Sequence, residues 1–124
     1  MSPRRILVVD DDPNLLRLLA LRLEKEGFGV IEAASGEEAL ELAQEHAGTI
    51  DLMISDVVMP GMQGTDLLKQ ARQYLGDAPV MFISGYAEAE FSDVLEDEPG
   101  VTFMSKPIDI KSLAERVKQQ LEAA

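Results

Sequence analysis

Short, nearly continuous apolar runs alternate with longer segments of helical period along this chain, and no other feature constrains its fold as tightly. Ile6-Leu7-Val8-Val9, Leu52-Met53-Ile54-Ser55 and Val80-Met81-Phe82-Ile83-Ser84 each carry apolar residues at consecutive positions. Side chains alternate faces along a strand, so such runs fit a sheet that is covered on both sides. The repeating pattern is that of βα units feeding a parallel sheet, an α/β fold. Five strands are predicted: Arg5 to Val9, Gly29 to Ala33, Leu52 to Ser55, Val80 to Ser84 and Thr102 to Ser105. The second is more mixed in polarity, as an edge strand would be.

The intervening segments carry helix signals. Asp12 before Pro13 predicts an N-cap followed by proline at the first helical position, and Gly27 ends that helix. Leu16, Leu19, Ala20 and Leu23 form its buried stripe. Ser35-Gly36-Glu37-Glu38 reads as a capping box that opens the second helix, whose apolar face is Ala39, Leu42 and Ala43. A third helix follows Gly64, with Leu67, Leu68, Ala71 and Leu75 inward. A fourth spans about Glu88 to Glu96 with few large apolar residues, so it should be the most mobile. A fifth runs from about Ile110 through Leu113, Val117 and Leu121.

A length of 124 residues fits a single domain spanning 1–124 that buries a full core unaided. The chain has no Cys, which removes disulfides and thiolate metal sites and makes the cytoplasm the expected compartment. Apolar runs are short and broken by charge, so neither a membrane span nor a secretory leader is expected. The net charge of -12 is concentrated: no Lys or Arg lies between Arg72 and Lys106, where six acids occur from Glu88 to Glu98. Nucleic-acid backbones would be repelled there, so direct nucleic-acid binding is not expected. His46, the single histidine, closes the second helix, where a cation favours the helix dipole.

Three strand ends carry the chemistry. The first strand runs into Asp10-Asp11-Asp12, the third into Asp56, and the last into Lys106-Pro107. Ligands of open parallel sheets bind outside the carboxyl ends of the strands. Carboxylates gathered there repel one another unless positive charge joins them. A hard divalent ion such as magnesium, held by Asp11, Asp56 and a turn carbonyl with Asp10 holding waters, would meet that need.

Val8-Val9-Asp10-Asp11-Asp12-Pro13, the run Ser55 to Gly64, Ile83-Ser84-Gly85 and Ser105-Lys106-Pro107 together resemble the four signature segments of response-regulator receiver domains. The likeness spans nearly the whole chain in the right order and spacing. Ile83-Ser84-Gly85-Tyr86-Ala87-Glu88 further resembles receivers of hybrid histidine kinases of the cell-cycle type. The resemblance implies a flavodoxin-like, doubly wound (βα)5 fold with strand order 2-1-3-4-5, and a role in two-component or phosphorelay signalling. It makes Asp56 the phosphoryl acceptor from a phosphohistidine. Asp10, Asp11, Asp56 and the Val58 backbone carbonyl would hold Mg2+, with Mn2+ or another divalent ion able to substitute. Lys106 would pair with the phosphoryl oxygens, Ser84 would donate its hydroxyl to them, and Phe103 would be the switch aromatic. It also implies a cis peptide before Pro107.

The implied partners are a histidine kinase or a histidine phosphotransfer protein, with output, and in one arrangement a homodimer, through the fourth helix, fifth strand and fifth helix. Val58 and Tyr86 are apolar and bulky at positions that line the path of attacking water, which implies slow hydrolysis of the acyl phosphate. Such a chain is a signalling receiver that catalyses only its own phosphorylation and dephosphorylation. Two other classes compete. Asp10-Asp11-Asp12 also resembles the haloacid-dehalogenase phosphatase motif, with Asp10 as nucleophile and Asp12 as acid-base. Pro13 and the lack of a late acidic pair after Lys106 speak against it. A non-phosphorylated interaction module could dispense with the acids retained here, and a flavin-binding domain of this architecture would need a phosphate-cradling Ser/Thr/Gly-rich loop after the first strand, which this chain does not carry.

Overall fold

The computed structural model describes residues 3–85 and 100–123. Five parallel strands, β1 (Arg5–Val9), β2 (Gly29–Ala33), β3 (Leu52–Asp56), β4 (Val80–Ser84) and β5 (Val101–Ser105), form one sheet in the order β2-β1-β3-β4-β5. Helices α1 (Pro13–Lys25), α2 (Gly36–Glu45) and α3 (Gly64–Leu75) connect the first four strands, and a C-terminal helix spans Ile110–Ala123. This is the doubly wound arrangement the sequence predicts. The fourth predicted helix, about 88 to 96, lies outside the described residues, as does Tyr86.

The continuous apolar runs divide by parity between two cores. Leu7, Val9, Met53, Val80 and Phe82 pack with Ala39 and Ala43 of α2 and Leu67, Leu68, Ala71 and Leu75 of α3. Ile6, Val8, Leu52, Ile54, Met81 and Ile83 pack with Leu16, Leu19 and Leu23 of α1 and Leu113, Val117 and Leu121 of the C-terminal helix. Adjacent residues of one strand therefore belong to different layers, as period-two alternation requires. β2, at the sheet edge, is buried only at Ala33, which accounts for its mixed sequence.

Local signals shape the ends of the elements. Asp12 caps α1 by accepting from the N–H groups of Asn14 and Leu15 at 3.0 and 3.4 Å, and Pro13 follows at the first helical position. Ser35 caps α2 through the Glu38 N–H at 3.1 Å. The reciprocal bond differs from the predicted box: the Glu38 carboxylate accepts from Ala34 N–H at 2.7 Å, one residue upstream of the cap. β3 extends one residue beyond prediction, because Asp56 stays in register with Ile83 of β4. β5 starts one residue early, at Val101 opposite Val80.

β5 is the other edge of the sheet, and its ladder to β4 uses alternate residues. Val80 N–H donates to Gly100 O at 3.1 Å and Lys106 N–H to Ser84 O at 2.9 Å. Even-numbered residues thus face β4, and the Phe103 carbonyl points away from it, where Arg116 of the C-terminal helix donates to it at 3.1 Å.

The start of α3 is pressed against the end of β3. A Cβ at Gly64 would lie 2.4 Å from the Asp56 carbonyl oxygen and 3.0 Å from the Phe82 ring, while Gly64 N–H donates to Val57 O at 2.8 Å. Only glycine fits this approach without moving backbone. Gly64→Ala should lower the free energy of unfolding by about 1–3 kcal/mol, the usual range for overpacking a tight site. Urea denaturation would measure this, and an unchanged midpoint would show that α3 can move off β3 without cost.

Candidate functional site

The chain runs outward from β1 to β2 and then returns across β1 to β3, so β1 and β3 are neighbours whose connections leave on opposite faces. Their carboxyl ends therefore flank the crevice where open α/β sheets bind ligands. Asp10 directly follows β1 and Asp56 ends β3. Both are carried into the interior by the apolar strands behind them, leaving Asp10 1% and Asp56 5% exposed. Asp11 remains at the surface.

Carboxylate oxygens of Asp10, Asp11 and Asp56 lie within 4.8 Å of one another. Lys106 reaches across from the end of β5 and donates from Nζ to Asp56 Oδ2 at 2.8 Å. Asp56 Oδ1 accepts from the Val58 N–H at 3.2 Å. Asp10 Oδ1 accepts from the Asp12 N–H at 2.8 Å, but its buried Oδ2 has no hydrogen-bond partner among the described residues. A buried carboxylate oxygen with no donor is costly.

Burial is the main force raising the Asp10 carboxyl above its ordinary 3.8; the bond from Asp12 opposes the rise and the negative Asp56 adds to it. At Lys106 burial works hardest against the charge, yet the hydrogen bond to Asp56 and the attraction of Asp56, Asp10 and Asp11 outweigh it. Its ammonium is held above the ordinary 10.5. One ammonium thus serves a cluster of three acids. The all-oxygen donor set and the orphaned Asp10 Oδ2 suit a hard cation, and these residues could hold a metal ion.

The remaining residues surround this centre. Ser84 is buried at the end of β4, one residue beyond the Asp56 partner Ile83. Among the described residues, a Cβ at Gly85, next along, would meet nothing within 4 Å. Val58 is 43% exposed at the rim. Phe103 lies within the sheet, half-buried, its ring tilted by 35° against Phe82 with centroids 5.7 Å apart. The Lys106-Pro107 peptide bond is cis. Asp12 turns away to cap α1 and is not among the clustered acids, and His46 lies just past α2 as its C-cap.

One contact escapes sequence reasoning. Glu37, in the first turn of α2, accepts from the Met62 N–H of the β3–α3 loop at 3.1 Å. In the sequence Glu37 is one of several acids in a capping run, and no local signal marks a bond to a residue 25 positions away.

Fold and site define a receiver domain of the two-component type. Residues 6–118 match the response regulator receiver domain model, and the chain belongs to that family. It is 42% identical over 118 residues to the sensor kinase CckA of Brucella abortus, covering 94% of this chain and 12% of that protein. It is 32% identical to the response regulator receiver protein CpdR of the same organism, covering 98% of this chain and 99% of CpdR. It thus spans a small part of CckA and 27% of the regulator GlrR of Escherichia coli. A crystal structure of the receiver domain of the hybrid histidine kinase CckA is 59% identical with a TM-score of 0.83, covering 94% of this chain and 98% of that one. A CheY-like receiver from Methanospirillum hungatei is 31% identical with a TM-score of 0.89, covering 98% and 96%.

No described helix is long and apolar enough to cross a membrane.

The raised Asp10 carboxyl has a consequence for stability. The folded chain holds this proton more tightly than the unfolded chain, so metal-free protein loses stability as pH climbs from the unfolded pKa through the raised folded one. Asp10→Asn carries no such proton and escapes the loss. At neutral pH in chelator, the variant should unfold at a higher urea concentration than the unsubstituted chain; a lower midpoint would refute the repulsion argument.

Proposed function

We propose that the chain acts across residues 1–124 as a phosphoacceptor receiver in which Asp56 takes a phosphoryl group from a phosphohistidine and holds it as an acyl phosphate. The observation that carries this reading is the position of Asp56: buried, at the end of β3, beside two further acids, with Lys106 Nζ 2.8 Å from one of its oxygens. Family membership and the likeness to CckA and CpdR support it.

In the reaction an Asp56 oxygen attacks phosphorus, the P–N bond breaks, and its electron pair returns to the imidazole nitrogen, which takes a proton from solvent. Lys106 already lies on Asp56 Oδ2 and can shift to the incoming phosphoryl oxygens, spreading their charge. Ser84 supplies a hydroxyl at the end of the adjacent strand, and Gly85 adds no side chain of its own to obstruct the donor. Mg2+, held by Asp10, Asp11, Asp56 and the Val58 carbonyl, would supply the positive charge these acids and a phosphoryl group require together. The orphaned Asp10 Oδ2 is the feature that favours a cation here over a bare acidic patch.

The donor would be a histidine kinase or a histidine phosphotransfer protein in the cytoplasm. An apolar surface stands beside the site: Leu15 and Leu18 of α1 line a cavity with Lys106, Pro107 and Ile108, and Leu18 is 56% exposed. A partner covering these residues would place its histidine near Asp56. Phosphorylation adds about -1.5 to -2 charges and would shift Ser84 and Phe103, and through them the β5 side of the domain, between two arrangements. Val58 and Tyr86 would slow hydrolysis.

Three measurements bear on this reading. Incubation with a small phosphodonor should label the chain, with loss of label in excess chelator and in Asp56→Asn. Label on Asp10 instead would favour the phosphatase reading. Loss of radiolabel from purified phosphorylated chain should be slow, and a half-life of seconds would sink the roles of Val58 and Tyr86. Leu18→Ala should slow labelling by a phosphohistidine protein but leave small-donor labelling unchanged; equal slowing of both would remove α1 from the docking surface.

A further inference from the structure

The β3–α3 loop, residues 57–63, carries the Val58 carbonyl, and its geometry has to be held by something other than its own sequence. Its entrance is fixed: Val57 N–H donates to Ile83 O at 3.1 Å, Val57 O accepts from Gly64 N–H, and Val58 N–H donates to Asp56 Oδ1. Its far end is fixed from another element. Glu37 Oε1 accepts from Met62 N–H at 3.1 Å, and the same oxygen would lie 2.8 Å from a Cβ at Gly61, whose φ of +76° also favours glycine. Beside it, a Cβ at Gly36 would lie 2.8 Å from Met62 Cβ and 2.9 Å from its carbonyl oxygen. The first turn of α2 therefore presses directly on residues 61 and 62, with two glycines giving the room and one carboxylate supplying the bond.

From this contact we infer that Glu37 is a positioning residue for the metal site, acting through the Met62 amide to set where the Val58 carbonyl stands. The inference rests on the reading of Asp10, Asp11, Asp56 and Val58 as cation ligands. Glu37 has no part in binding the ion; it acts on the span of loop between two tethers. Val58 to Met62 is a five-residue stretch in which Met59, next to Val58, is itself buried at 4% exposure. With both ends tethered and Met59 buried, the carbonyl is presented without the entropy cost of ordering a free loop when the ion arrives. Remove the far tether and that cost returns as weaker binding. Linkage makes the effect reciprocal: an ion that prefers the held loop must also tighten the Glu37–Met62 bond.

The bond needs an acceptor oxygen and not a charge, and this separates positioning from long-range electrostatics. Glu37→Gln keeps an acceptor and loses the charge; Glu37→Ala loses both. Glu41→Ala removes another exposed acid from the same helix. Mg2+ titration of the full chain by calorimetry should show Glu37→Ala binding about threefold to tenfold more weakly, the size of one net hydrogen bond. Glu37→Gln and Glu41→Ala should bind nearly as the unsubstituted chain does. In parallel, amide exchange at Met62 should slow when Mg2+ is added to the unsubstituted chain and should be fast with or without it in Glu37→Ala. Unchanged Mg2+ affinity in Glu37→Ala overturns the inference, as does a Glu37→Gln affinity as weak as that of Glu37→Ala, which would make the effect one of charge. An unsubstituted chain that binds no Mg2+ overturns the metal-site reading, and this inference with it.

Discussion

Three carboxylates crowd the same end of the sheet with one ammonium among them, and this imbalance organises the molecule around it. Like charges held within 4.8 Å in a half-buried crevice destabilise the state that holds them. Lys106 offsets part of that by pairing with Asp56 at 2.8 Å, which ties the end of β5 to the end of β3 across the intervening β4. Asp10 is left with a buried oxygen that has no partner among the described residues. The stability spent there must come from elsewhere, and the two apolar layers are where it is found.

Those layers explain why the acids can be held at all. Each central strand sends alternate side chains into α1 and the C-terminal helix on one face and α2 and α3 on the other. The strands are thereby fixed in register over their full length, and their carboxyl ends become rigid mounts. Precision at the site is a product of packing far from it. The tight approach of Gly64 to the Asp56 carbonyl extends the same rigidity to the loop that leaves β3.

Much of this was legible in the sequence because it depends on short-range patterns. Continuous runs at Ile6–Val9, Leu52–Ser55 and Val80–Ser84 mark strands covered on both faces, and the mixed Gly29–Ala33 marks an edge. Asp10, Asp11, Asp56 and Lys106 stand out because each follows or closes a predicted strand, and the parallel topology then collects strand ends at one place. What stayed hidden depends on tertiary distance. Nothing local shows that Glu38 reaches back to Ala34 and not to Ser35, that Asp10 Oδ2 finds no donor, or that Glu37 meets Met62 across two connections. The ends of β3 and β5 shifted by a residue for a related reason: a ladder continues as long as its neighbour does, whatever the composition of the last residue.

The bond from Arg116 to the Phe103 carbonyl has a bearing on what the sheet can become. An outer strand normally offers its unpaired backbone groups to any extended chain that drifts alongside, and growth by one strand after another follows. Here the acceptor at the midpoint of β5 is already taken by a bulky, charged side chain rooted in the C-terminal helix. A foreign strand would have to evict that guanidinium before it could register. Arg116 thus sets a boundary, making the sheet finite at the edge where its last strand would otherwise act as a template.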